Sequence, residues 1–257
     1  MKENIIIEIL LLAPFFLCWG SFLNMLAYRL IRFKKIWITR SFCPQCKKTI
    51  FWYDNIPVIS FLLLRGKCRF CKAPISFLYP FIEIFTTVVM LALYYTVPIQ
   101  YFPAYFIFFS ALIITFRTDI QFMLISRFTT IFLIPLGFLF SITGLLPISF
   151  LNSLLGTLIG YGLLLIVSYI FHYLMGKQGV GQGDLELLAF IGSFIGVTGC
   201  WISLFLGSIM GSLFGTLYMI ITKQKLTTKM PFGHFLAIGA ILYVLFETPL
   251  LRIVLKI

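Results

Sequence analysis

Acidic side chains are scarce in this chain. Eight Asp and Glu stand against twenty Lys and Arg in 257 residues, and charged residues of both signs make up only 11%. With 61% hydrophobic residues and a mean hydropathy of +1.05, the sequence lacks the polar surface that a soluble globular domain needs. Histidine is nearly missing too: His172 and His234 are the only two. No His-Glu-x-x-His helix of a zinc protease is present, no Ser–His or Cys–His motif, and no Gly-x-Gly-x-x-Gly loop after a strand. The N-terminus has Glu3 and Glu8 beside Lys2 and no clear small-residue cleavage site, so it reads as a permanent span and not a signal peptide.

What remains is apolar runs separated by short basic gaps. A membrane helix needs ~20 apolar residues to cross ~30 Å of hydrocarbon. Eight runs qualify or nearly so, at about 5–31, 76–97, 103–118, 128–146, 150–173, 184–199, 200–222 and 234–254. The expected fold is all-α and polytopic. Three parts follow: a first transmembrane helix (1–31), a loop (32–75), and a transmembrane bundle (76–257). Basic residues crowd the loop-like segments 32–75, 117–127, 174–183 and 223–233, which the positive-inside rule assigns to the cytoplasm. Both termini are then outside, and of the twenty basic residues only Lys2, Arg252 and Lys256 fall there. The net charge of +12 is thus a topology signal, and no nucleic-acid partner is expected. Small residues at four-residue spacing (Gly156 and Gly160; Gly192 and Gly196; Gly207, Gly211 and Gly215) suit close helix packing in lipid.

Four of the six cysteines form two C-x2-C pairs, Cys43/Cys46 and Cys68/Cys71, separated by 21 residues. Each pair makes a knuckle whose two thiolates can face one ion, and two knuckles complete a tetrahedral zinc site. The reducing cytoplasm favours metal over disulfides; redox-active or merely structural thiol pairs are the alternative. A four-thiolate zinc has no open position for water, so its role is to staple a loop with too little core of its own. Cys18 and Cys200 lie in apolar spans and read as packing residues.

Two carboxylates stand at the edges of apolar runs. Asp119 ends the third run, and Asp184 opens the sixth after the turn Gly179-Val180-Gly181-Gln182-Gly183. An ionisable group at the bilayer edge is costly and marks a functional site. The topology puts both aspartates at the cytoplasmic face on different helices. Gly181 and Gly183 permit a close backbone approach, as an extended substrate strand would need. Two close carboxyls can share a proton and hydrolyse a peptide bond as an aspartic protease does. Simpler roles stay open: Asp184 as a helix N-cap, and Asp119 as a counter-ion for Arg117 or Arg127.

Taken in order, several motifs resemble the bacterial type IV prepilin peptidases, which belong to the GxGD-type aspartic proteases. They are Gly20-Ser21-Phe22-Leu23-Asn24 with Tyr28-Arg29, the two cysteine knuckles, Tyr79-Pro80-Phe81-Ile82-Glu83, the Asp119 segment, Gly181-Gln182-Gly183-Asp184 with Leu187-Leu188-Ala189, and Pro231-Phe232-Gly233. The resemblance implies that Asp119 and Asp184 are catalytic. It implies removal of a short basic leader from type IV prepilins or pseudopilins, serving a pilus or type II secretion system, at the cytoplasmic side of the inner membrane. It also implies methylation of the new N-terminus from S-adenosylmethionine, with the tetracysteine loop accompanying the bifunctional members. Asn24, Arg29 and Glu83 match family motifs near the cytoplasmic side and are candidates for the methyl-donor site.

This sequence departs from the family pattern twice. Ser126-Arg127 stands where a Pro-Asp or Pro-Asn ending is usual, and Glu186 where Lys is usual. Glu186 should disfavour a negative Asp184 nearby. Asp54, Glu83 and Glu186 are also candidates for offsetting the basic face against a basic leader. A peptidase without methylation, or a transporter relaying ions through its acidic pair, are the competing functions. A transporter should show inverted repeats and helices broken at mid-membrane, and the aspartates fall instead at a membrane face.

Overall fold

A computed structural model describes residues 2–32, 40–176, 179–222 and 231–247. Lys34 and Lys35, most of the 223–233 loop, the end of the eighth expected span, and Arg252 and Lys256 lie outside the described residues. Among those described, helices dominate and no strand occurs; two isolated bridges, Phe42 with Thr49 and Lys67 with Pro74, are the only sheet-like pairings. Among the described residues five helices are long and apolar enough to cross a membrane, and two further apolar helices are shorter. The chain is therefore an all-α membrane protein. It forms two compact units, Met1–Tyr95 and Thr96–Ile257.

The first unit consists of α1 (Lys2–Arg32), the cysteine loop with the short α2 (Ile59–Leu63), and α3 (Leu78–Thr96). Helix α1 crosses α3 at Gly20, where a Cβ would lie 2.9 Å from the Glu83 Cα. One turn further, buried Asn24 donates to the Tyr79 carbonyl at 3.1 Å. The loop is anchored at the same level: the Glu83 carboxylate accepts the Val58 N–H at 2.8 Å. Val58 has φ +60°, a conformation unfavourable for a β-branched residue, and this bond helps hold it.

The second unit contains α4 (Phe102–Phe122), α5 (Ile134–Ile142), α6 (Phe150–Met175), α7 (Gln182–Thr222) and α8 (Gly233–Leu245). Pro103 sits in the first turn of α4, where its missing N–H costs nothing. The helix stops at Met123, which is left-handed and donates its N–H to the Asp119 carbonyl at 2.9 Å. Asp119 thus lies in the last turn of α4 instead of ending it as expected. The fourth expected span (128–146) is not one continuous helix. Two 3-10 turns, Arg127–Thr129 and Ile131–Leu133, precede α5, which Pro135 opens. At 1.5 Å per residue the nine residues of α5 rise only about 14 Å.

Helix α7 contains the sixth and seventh expected spans, and it folds back on itself. Gly196 has φ +68° and ψ −170°, a backbone shape open essentially only to glycine. Twelve residues of straight helix would separate 188 from 200 by about 18 Å, yet the Cys200 sulfur lies 4.0 Å from the Leu188 carbonyl oxygen. The arms 182–195 and 197–222 are therefore antiparallel neighbours. A helix break in an apolar interior leaves backbone groups to satisfy, and α6 supplies the partners. Asn152 Oδ1 accepts the Val197 N–H at 3.1 Å, and the Ser153 hydroxyl donates to the Ser193 carbonyl at 2.5 Å. Phe108 of α4 stacks on Phe194 with centroids 4.9 Å apart, and Phe190 completes this aromatic core.

Helices α6 and α7 touch backbone to backbone at Gly156 and Gly192, where a Cβ on either would overlap the other's peptide. Gly162, on the same α6, would meet nothing within 4 Å. Gly192→Ala should therefore lower stability by about 1–3 kcal/mol through overpacking. Gly162→Ala should leave it unchanged or raise it by up to ~1 kcal/mol through helix propensity. Thermal unfolding in detergent separates the two; equal midpoints for both variants would contradict this packing.

Candidate active site and metal centre

Three helix ends converge in the second unit: the last turn of α4, the first turn of α7 and the first turn of α8. Asp119 is 4% exposed, in the last turns of α4 where Thr115, Arg117 and Thr118 are also buried. Asp184 sits in the first turn of α7, its N–H donating to the Gly181 carbonyl at 3.1 Å. The two carboxyl groups meet at Gly233. A Cβ there would lie 3.3 Å from Asp184 Oδ1 and 3.4 Å from Asp119 Cγ. Their separation therefore cannot exceed those two distances laid end to end, so the two carboxyls are neighbours across this glycine. Glycine is the residue that leaves this space open.

The other glycines serve the same closeness. At Gly181 a Cβ would come within 3.2 Å of Asp184 Oδ2. At Gly183 it would lie 3.0 Å from Ile125 Cβ, and Ile125 also closes on Gly233. The loop after α4 thus packs directly on the two turns that carry the second aspartate and the second helix start. Helices α7 and α8 both begin at this corner, and a helix start favours anionic side chains.

Asp119 has a partner that its sequence context did not reveal. Its Oδ2 accepts the backbone N–H of His234, and the His234 ring Nδ1 lies against the same oxygen, each at 2.8 Å. It caps α8 from another helix. The His234 side chain is only 13% exposed, and its ring lies 4.0 Å from that of Phe235. The sole sequence signal was that one of only two histidines follows the Pro231-Phe232-Gly233 motif directly.

The alternative partners proposed for Asp119 are engaged elsewhere. Arg117, fully buried, donates from Nη1 to Gln121 Oε1. Arg127 pairs with Glu186 at 3.2 Å. The two positions at which this sequence departs from the pattern it resembles therefore face each other with opposite charges. Glu186 is 4% exposed and compensated by Arg127, so it does not act on Asp184 as an isolated negative charge. Asp54 is likewise held by Arg69, in a two-pronged bond of 2.6 and 2.8 Å. Neither acid presents an uncompensated charge to a basic substrate.

In the first unit, the sulfurs of Cys43, Cys46, Cys68 and Cys71 all lie within 4.8 Å of one another. The knuckles are geometric copies. In each, the first cysteine's carbonyl accepts the N–H four residues on, from Lys47 (2.9 Å) or Lys72 (3.0 Å), and both lysines have φ +58°. The Cys43 and Cys71 sulfurs are 3.8 Å apart. Tetrahedral zinc with Zn–S bonds of ~2.3 Å requires sulfur separations of about 3.8 Å, so the group fits. The backbone N–H groups of Cys71 and Phe70 bring the Cys68 thiol down to about 7, while Cys71 is pushed up to about 11, so the clustered thiols lose their protons together and not independently. Of the methyl-donor candidates, Asn24 and Glu83 are brought together at the α1–α3 crossing, bonded to Tyr79 and Val58. Arg29 lies in the last turn of α1, partly exposed.

Residues 15–97 match the bacterial peptidase A24 N-terminal domain, and residues 106–216 match the type IV leader peptidase family. The prepilin leader peptidase/N-methyltransferase of Aeromonas hydrophila is 32% identical over 251 residues, covering 88% of this chain and 86% of that protein. The protein of the same name from Bacillus subtilis (strain 168) is 33% identical over 244 residues, covering 94% and 96%. That from Klebsiella pneumoniae is 35% identical over 187 residues, covering 70% and 82%. No solved structure matches. With this likeness running through both units, the chain belongs to the type IV leader peptidase family.

Proposed function

We propose that this chain is a membrane aspartic endopeptidase that removes the basic leader from type IV prepilins or pseudopilins and then N-methylates the new N-terminus. The observation that carries the reading is the meeting of the Asp119 and Asp184 carboxyls at Gly233. Asp119 and Asp184 are the catalytic residues, and Gly181, Gly183 and Gly233 keep the space around them clear. One carboxyl is protonated and the other ionised. The ionised one takes a proton from water as the water oxygen attacks the scissile carbonyl carbon. The protonated one donates to the carbonyl oxygen, and a proton then passes to the leaving amine as the C–N bond breaks.

The site opens at the cytoplasmic face of the bacterial inner membrane, with both termini outside, as the distribution of Lys and Arg supports. There the substrate's leader ends and its apolar helix enters lipid. Cys43, Cys46, Cys68 and Cys71 would hold a structural zinc that staples the two knuckles together; with four thiolates it would leave no position for water. Methyl transfer draws on S-adenosylmethionine. Asn24 braces the α1–α3 crossing through Tyr79, and Glu83 anchors the cysteine loop through Val58.

Three outcomes test this reading. Asp119→Asn and Asp184→Asn should each reduce leader removal by ~100-fold or more while the protein remains folded, scored by mass spectrometry of a purified prepilin after incubation; normal processing by either variant would overturn the assignment. Arg127→Glu or Glu186→Arg alone should slow cleavage and lower the unfolding midpoint, and the double exchange should recover both; no recovery would mean that the pair does not tie the loop to α7. The purified chain should carry a single zinc by elemental analysis, and Cys68→Ala should release it; a metal-free wild-type protein would rule out the zinc staple.

A further inference from the structure

His234 meets Asp119 in a way that the hydrolytic reading does not by itself require. The backbone N–H and ring Nδ1 of this one residue both reach the same oxygen, Asp119 Oδ2, at 2.8 Å. The backbone contact alone would cap α8. A second donor on the same oxygen adds nothing to the cap's geometry, but it fixes the rotation of the carboxyl plane. With the imidazole in its Nδ1–H form, Oδ2 is taken by two N–H groups and Oδ1 is the oxygen left for water and for Asp184. The ring is itself held. Phe116 of α4 contacts it edge-on at 6.1 Å, Phe235 lies against it at 4.0 Å, and its side chain is 13% exposed. Gly233, the neighbouring residue, is where the two carboxyls meet. One short stretch of α8 therefore both opens the space for the pair and orients one of its members.

We infer that His234 is a positioning residue for peptide hydrolysis, donating from Nδ1 to Asp119 Oδ2 so that the other carboxyl oxygen faces water and Asp184. This rests on Asp119 being catalytic. The ring does not touch substrate and takes no proton from it. Its contribution is to hold a carboxyl within the fraction of an ångström that general-base chemistry demands. A donor at the Nδ1 position is sufficient for that role. Asparagine places its side-chain N–H close to where histidine holds Nδ1, whereas glutamine carries its amide one carbon further out.

The test is steady-state cleavage of a prepilin by full-length protein in membrane vesicles, comparing wild type, His234→Phe, His234→Asn, His234→Gln and Asp119→Asn. His234→Phe should lower kcat by about 10- to 100-fold with KM unchanged, as expected for a displaced catalytic group. His234→Asn should recover kcat to within a few-fold of wild type, and His234→Gln should not. The Asn and Gln variants keep the comparison decisive if the Phe variant fails to fold. A His234→Phe protein with wild-type kcat, or Asn and Gln variants equally impaired, would overturn the inference. Asp119→Asn separates the two failures. If it is inactive while His234→Phe is fully active, only the positioning role falls; if it is itself active, the catalytic reading beneath it falls as well.

Discussion

The structure depends on one electrostatic constraint: two carboxyl groups must be kept close together at the end of an apolar bundle. Such groups are expensive there unless hydrogen-bonded or aimed at by dipoles. The fold meets the cost by bringing together the C-terminal turn of α4 and the N-terminal turns of α7 and α8. Helices α7 and α8 both begin at the corner, and the His234 N–H in the first turn of α8 is taken directly by Asp119. The glycines at 181, 183 and 233 follow from the same requirement. Each stands where a side chain would press on a carboxyl or on Ile125.

Holding three helix ends together requires a rigid frame behind them. The return at Gly196 supplies part of it, because it converts one long apolar segment into two antiparallel arms. Asn152 and Ser153 of α6 take the backbone groups that the return leaves unpaired. The glycine contact between Gly156 and Gly192 then locks α6 against the arm that carries Asp184. The loop after α4 is tied to the same arm by Arg127 and Glu186. In the first unit the two cysteine knuckles bring four sulfurs together in a cluster that could hold a metal.

The features legible in the sequence were those that are rare in it. With so few acids, Asp119 and Asp184 stood out against apolar surroundings, and the C-x2-C pairs announced their geometry by spacing alone. Long apolar runs gave α1, α3, α4 and α6 to within a few residues. What escaped was set by contacts between distant segments. Hydropathy read 128–146 as one span, but Thr130 and Pro135 break it into 3-10 turns and a short helix. Nothing near His234 in sequence points to Asp119, 115 positions away. The Ser126-Arg127 and Glu186 departures looked like two separate irregularities because only the folded chain sets Arg127 against Glu186.

The central claim, that these two carboxyls act as one unit, is tested most directly with a peptide that carries a non-cleavable hydroxyethylene group in place of the scissile bond. Its hydroxyl mimics the tetrahedral intermediate and needs both carboxyls at once. Titration in membrane vesicles should show tight, saturable binding to wild type that is lost when either aspartate is replaced. Equal affinity for wild type, Asp119→Asn and Asp184→Asn would contradict the paired mechanism.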